Sequence, residues 1–304
     1  MKHRTRFIEI CGRALLVLLP IVVFALPTSV FAAAKKSSAN YDSMTLPQAR
    51  LYMVQLINID RSKNGLRPVA LDPIASLAGQ KHSDKLLALG AHSHWEPDGT
   101  KPPQRYNFVG GTDYVAENFA WYGASASPQK PDPKARFSRA SIAGLESMWM
   151  HSDGHRKNIL DKYRTHVGVG LSQSQFGISV VADQEFINKY GNISRIPYKA
   201  YRGTRVHVSG TLNSGYRVQC VSVTREDFPR RMSVSELNST YSYGIGTEQI
   251  ANYFPRDMSV SSSGFACAIE VKPEWRPGLY YCTIWAETGA GEKIPVSLLT
   301  FYVF

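Results

Sequence analysis

The chain has 304 residues, room for about two domains, and its 43% apolar and 19% charged content excludes fibrous and disordered classes. The formal charge of +11 is spread over the N-terminal leader and both halves of the chain. A nucleic-acid binder gathers its Lys and Arg on one face, so nucleic acid is not an expected partner, and an anionic envelope surface is the polyelectrolyte that the spread charge fits.

Lys2, Arg4, Arg6 and Arg13 precede an apolar run from Ala14 to Leu26, and small residues around Ala32 and Ala34 follow. The run is shorter than the roughly 20 residues of a spanning helix. The layout predicts a secretory signal peptide over 1–34 and a secreted mature protein, extracellular or periplasmic, with no transmembrane segment. Residues 35–44 are polar and read as a flexible leader.

A first helix is predicted from Thr45, where Thr45 and Gln48 have capping-box spacing, to Asn64-Gly65. A second begins after Asp72 as N-cap with Pro73 at the first helical position. Its stripe is Ala75, Ala78, His82 and Leu86, and Gly90 stops it. On that stripe His82 reads as a packed, hydrogen-bonded histidine. Residues 122–138 read as a long surface loop. A third helix follows over 138–150, with Ile142, Leu145 and Trp149 on one face. Val167–Leu171 and Gly177–Val181 then suggest a hairpin. Helices first and paired strands later predict an α+β domain over 45–190.

Beyond Tyr190 the pattern changes to short β-rich runs punctuated by Gly, Pro, Asn and Ser: 205–209, 216–223, 265–271, 279–285 and 296–303. They predict an all-β sandwich over 195–304, with the boundary near 191–197.

Four segments carry the chemistry of the first half: Ala91-His-Ser-His-Trp-Glu-Pro-Asp-Gly99, Ala116-Glu-Asn-Phe-Ala120, Trp149-Met-His-Ser-Asp-Gly-His-Arg-Lys-Asn-Ile-Leu160 and Thr165-His-Val-Gly-Val-Gly170. Each alone is a weak signal, and no HExxH is present. In this order, preceded by Asn58-x-x-Arg61-x-x-x-Gly65-Leu66-x-Pro68, they resemble the bacterial, SCP-like branch of the CAP superfamily. The resemblance covers about half the chain and implies an α-β-α sandwich around a cavity lined by two histidines and two acidic residues, which holds a divalent metal in some members. It places His94, Glu117 and His155 in that cavity, with Arg156 and Asn158 behind them. The second acidic position falls near Ser152, a departure from the animal and plant pattern, with Asp153 and Glu146 as the nearby acids. Two imidazoles and a carboxylate suit zinc with an open position for water, so His94 and His155 are the candidate metal ligands. A metal-free cavity of hydrogen-bonded His and Glu is the alternative. Arg105 reads as a local charge partner, and His92 and His151 as rim residues.

In the second half, Leu279-Tyr-Tyr-Cys282 after Pro277-Gly278 resembles strand F of an immunoglobulin-like sandwich, with Tyr280 at the tyrosine-corner position. That resemblance implies a Cys220–Cys282 bridge with Cys267 free, although Cys267 is a second possible partner. The expected function is a secreted protein that binds a small lipid-like or cell-wall-derived ligand, without catalysis. The alternatives are a metal-dependent hydrolase with Glu117 as general base and a structural or adhesive protein.

Overall fold

A computed structural model describes residues 43–123 and 127–304. The predicted signal peptide and nearly all of the leader lie outside those residues, as do residues 124–126 of the expected long loop. No helix among the described residues is long and apolar enough to cross a membrane.

Helix α1 (Leu46–Lys63) starts where the capping signal places it, with the Thr45 N–H donating to Gln48 Oε1 at 2.9 Å. Its buried Arg61 donates to the carbonyls of Arg67, Ile159 and Asp161, so the Asn58/Arg61 motif ties the helix to two later segments. A short strand β1 (Ala70–Leu71) leads into α2 (Pro73–Leu89). Asp72 Oδ1 accepts from the Ala75 N–H at 2.8 Å, and Gly90 closes the helix in the left-handed region. Then come α3 (Pro102–Phe108), β2 (Tyr114–Gly123), α4 (Arg139–Met150), α5 (Asp153–Ile159), β3 (His166–Gln173) and β4 (Ser179–Asn188). The sheet order is β1-β3-β4-β2.

One face of this sheet packs on α1 and α4 through Met53, Ile57, Ile142, Leu145, Trp149, Val167, Val169 and Phe186. The other face carries α2, which lies almost on the backbone of β3. A Cβ on Gly168 would stand 2.2 Å from the Ala75 carbonyl carbon, and one on Gly170 the same distance from that of Gly79. The glycines of the Val-Gly-Val-Gly run therefore set the helix–sheet distance. The result is three layers, α-β-α.

The remaining strands are β5 (Gly191–Ile193), β6 (Lys199–Ala200), β7 (Arg205–Leu212), β8 (Tyr216–Glu226), β9 (Glu248–Tyr253), β10 (Ser259–Val260), β11 (Gly264–Glu270), β12 (Gly278–Thr288) and β13 (Lys293–Val303). They form two sheets, β10-β11-β7-β5 and β6-β13-β12-β8-β9. Both contribute to one apolar core: Val208, Phe265, Cys267 and Ile269 from the first, Val221, Val223, Cys282, Ile284 and Val296 from the second.

The Cys220–Cys282 bridge is not formed, and the topology forbids it. β8 and β12 are neighbours in one sheet, with Cys282 opposite Val223 and Cys220 opposite Trp285. The two cysteines are thus three rungs apart, about 10 Å at the usual rise per residue, beyond the reach of a disulfide. Cys282 belongs to the inter-sheet core and Cys220 does not. Cys220, Cys267 and Cys282 are all buried free thiols.

The two halves are joined by more than the linker. Asn107 on α3 donates to the Leu298 carbonyl and accepts from the Thr300 N–H, while Asn188 on β4 donates to the Pro295 carbonyl. The connection from β8 to β9 leaves its own sheets altogether. It carries a short helix α6 (Val234–Asn238), whose Leu237 is fully buried in a cluster with Leu86, Leu87, Phe119 and Val181 of the first half. Gly99, at φ +81°, lies against this connection: a side chain there would meet the Arg230 carbonyl oxygen at 2.6 Å.

Candidate ligand-binding site

Strand alternation fixes the site's floor. Along β2, Glu117 and Phe119 face α2, while Asn118 faces the opposite layer toward Gln184. The loop after α2 brings His94 over Glu117, and Nδ1 of His94 lies 2.6 Å from Glu117 Oε1. The Arg105 guanidinium of α3 pairs with the other carboxylate oxygen, reaches Glu185 Oε1 at 3.8 Å and donates to the His94 carbonyl at 2.8 Å. A single arginine thus holds both the carboxylate and the backbone of the histidine that contacts it. Asn158 of α5 donates to the Glu117 carbonyl and to Asn118 Oδ1, and Asn118 in turn donates to the His155 carbonyl.

Burial alone would raise the Glu117 carboxyl, but the Arg105 charge, then His82 and His94, hold it well below the usual carboxylate range. The same exchange keeps Arg105 charged, since Glu117 and Glu185 outweigh the burial of its guanidinium. Asp183 and Glu185, fully buried on β4, are pushed the other way by burial and by the neighbouring Glu117 charge. Beneath them His82 is fully buried. Its Nε2–H donates to the Ser93 carbonyl at 3.0 Å, and Nδ1 lies 3.4 Å from Glu96 Oε1. Burial opposes ionisation of Glu96, and His82 and Arg105 overcome it, bringing its pKa down to about 2.

The walls are aromatic. The His92 ring lies 5.0 Å from that of Phe119, and the His94 ring 6.4 Å from Phe119. His92 and His155 are half-buried, and burial first and the neighbouring imidazoles second lower the pKa of each below the usual histidine value. The second half of the chain supplies the remaining wall. Tyr243, in the segment between α6 and β9, places its ring 5.1 Å from that of His94 and accepts the Glu117 N–H on its hydroxyl at 3.3 Å.

Residues 54–184 match the model of CAP, the Cysteine-rich secretory protein family. The chain carries a CAP-family domain. The uncharacterized protein YkwD of Bacillus subtilis (strain 168) is 27% identical to it over 137 residues, 45% of this chain and 46% of that protein, so the chain spans about half the length of this curated relative. Among solved structures, an extracellular protein containing a SCP domain from Bacillus anthracis is 25% identical, with 46% of this chain and 40% of that one covered at a TM-score of 0.37. An outer surface protein from Borrelia burgdorferi is 16% identical, with 46% and 90% covered at a TM-score of 0.36.

Within the CAP domain, His94 and Glu117 are in direct contact, and His155 comes into the same electrostatic neighbourhood from α5. Ser152 is half-buried as the residue before α5, and its side chain does not cap that helix. The two acids weighed for the second acidic position are elsewhere. Asp153 is exposed and pairs with Arg156, which points to solvent. Glu146 is buried in the opposite layer, where Gln184 donates to it at 2.6 Å. The acids that do approach Glu117 are Glu185, directly opposite it in the β2–β4 pairing, and Asp183 opposite Phe119. Their signal in the sequence was two acids at alternate positions between the apolar runs Val180–Ala182 and Phe186–Ile187. His151 is exposed and donates to the Ser147 carbonyl, and His166 opens β3 beside Thr165.

These donors do not fit a three-ligand zinc centre on His94, His155 and Glu117. Both Glu117 oxygens are engaged, one by His94 and one by Arg105, so the set offers two imidazoles and no free carboxylate. Among the described residues, the cluster of three whose donor atoms lie within 4.8 Å of one another is His82, Glu117 and Asp183, all buried, and Arg105 already supplies positive charge there.

Proposed function

We propose that the protein is a secreted binding protein whose CAP cavity takes a small lipid-like or cell-wall-derived ligand. The observation that carries this reading is the His94–Glu117 contact at 2.6 Å between aromatic walls. With Nδ1–H donating to the carboxylate, the imidazole is fixed in one orientation with its Nε2 edge turned away from Glu117. One oriented polar group among apolar walls is the composition of a small-ligand site. The leader pattern of residues 1–34 supports export. The hydrolase reading is weaker, because Arg105 holds Glu117 ionised and so makes it a poor general base.

The test is native mass spectrometry of residues 35–304 mixed with medium-chain fatty acids and with soluble muropeptides, beside a His94→Ala variant of equal thermal stability. Saturable binding to the parent that drops at least ~10-fold in the variant is expected, the loss of a charge-assisted or buried hydrogen bond. Absence of saturable binding, or binding that ignores the substitution, overturns the proposal.

A further inference from the structure

The segment that supplies Tyr243 is bound as a peptide is bound. Asn238 ends α6, the Ser239 and Thr240 N–H groups bond back to Glu236 and Leu237 of that helix, and residues 241–244 then run without ladder partners of their own across the loop of the CAP domain that carries His94. Every second carbonyl is read by a side chain of that loop: Thr240 O accepts from Ser93 Oγ at 3.3 Å, Ser242 O from Trp95 Nε1 at 2.9 Å, and Gly244 O from Lys101 Nζ at 2.7 Å. At the head of the segment, Asn238 Oδ1 accepts the His92 N–H at 2.6 Å. Between these anchors the two tyrosines part ways, so the chain turns between them. Tyr241 is 75% exposed, whereas Tyr243 lies on His94 with its hydroxyl at the Glu117 N–H. Main-chain bonds at alternate positions with one side chain in a pocket are the mode by which grooves recognise extended peptides.

We propose that the CAP groove from His92 to Lys101, with the His94–Glu117 pocket beneath it, is a binding site for an extended peptide bearing an aromatic side chain, filled here in cis by residues 240–244. The inference deepens the ligand-binding reading above and rests on it. The carbonyl readers Ser93, Trp95 and Lys101 are indifferent to side chains and supply affinity. The pocket selects, because a tyrosine ring covers the imidazole face and its hydroxyl takes the Glu117 N–H, which an aliphatic side chain leaves without that partner. A tethered occupant competes at an effective concentration on the order of millimolar, so a peptide from another molecule enters only by displacing the strap.

The probe is a synthetic, fluorophore-labelled Asn-Ser-Thr-Tyr-Ser-Tyr-Gly, the sequence of residues 238–244, with a second peptide carrying Ala for the penultimate Tyr. Anisotropy is read on the full chain, on Tyr243→Ala, and on a chain whose residues 239–245 are replaced by glycine and serine. Diethyl pyrocarbonate labelling of His94, with exposed His151 as reference, reports independently whether the pocket has opened. The expected result is at least ~10-fold faster His94 labelling in Tyr243→Ala. The Tyr peptide should bind the opened chains saturably, at least ~10-fold more tightly than it binds the parent and than the Ala peptide binds them. Equal binding of the two peptides overturns the proposal, as does unchanged His94 labelling. If fatty acid or muropeptide binds while the Tyr peptide does not, the peptide class falls and the binding reading stands. If none binds an opened chain, both fall.

Discussion

Arg105 supplies the charge that allows Glu117 to remain ionised beneath the sheet, at 2% exposure. Removing one partner of a buried pair leaves the other without compensation, which costs on the order of 3–5 kcal/mol. Arg105→Met should therefore lower unfolding stability by about that amount in urea titrations, and parent-like stability would contradict the electrostatic account. Glu146 tests the opposite situation. Burial raises its carboxyl from 4.5 to about 8. Because the folded value lies above the unfolded one, the unfolded chain releases its proton first as pH rises. This group's contribution to stability is complete below about pH 4.5 and is lost by about pH 8. Glu146→Gln keeps a neutral partner for Gln184, so it should match the parent at pH 4 and melt at a higher temperature at pH 8. Equal melting at pH 8 would refute the shift. At this scale His94, Glu117 and His155 were legible because short motifs carry them. Glu185, Asp183 and Tyr243 were not, since strand pairing and a distant segment bring them in, and neither leaves a local pattern.

Helices α1, α2 and α4 were legible from caps and apolar stripes, since each spans at least three turns. Helices α3, α5 and α6 have seven, seven and five residues, too few for a 3.6-residue period to declare itself. Strand β2 was hidden because its Glu-Asn pair reads as polar, although the strand is buried on both faces. The cysteine error arose at the same level. The bridge was implied by the likeness of Leu279–Cys282 to an immunoglobulin strand F, but which sheet receives β8 is a question of topology that spacing cannot answer. The glycines of β3 give a paired prediction. Gly170→Ala forces a Cβ to 2.2 Å from the α2 backbone, which has no flexible end to yield, so a loss of about 1–3 kcal/mol or more is expected. Gly154→Ala, in α5 with nothing within 4 Å of its Cβ, should be neutral or stabilising by up to about 1 kcal/mol. Chemical denaturation of the two variants checks this, and equal effects would mean that α2 can retreat from the sheet.

Across the whole molecule, the composition change near residue 191 marks where helices give way to strands, yet no break in packing accompanies it. Asn107 hydrogen-bonds to β13, and Leu237 completes a cluster with Phe119 and Val181. An excursion anchored by one fully buried leucine has no compositional signature, so the sequence alone marked two domains and not the contact between them. Shared cores unfold together, and calorimetry of the full chain should show one transition with equal calorimetric and van't Hoff enthalpies. Two resolved transitions would mean that the interface is only a contact.

The floor is complete once β4 ends at Asn188, and Tyr243 follows that residue by 55 positions. On a ribosome adding about 5–20 residues each second, that separation amounts to roughly 3–11 s. For that interval the nascent chain has a floor and no roof. A molecule that reaches His94 before residue 243 is made meets no competitor, whereas one that arrives afterwards must evict a tethered one. The contents of the finished protein would then record what its nascent chain met.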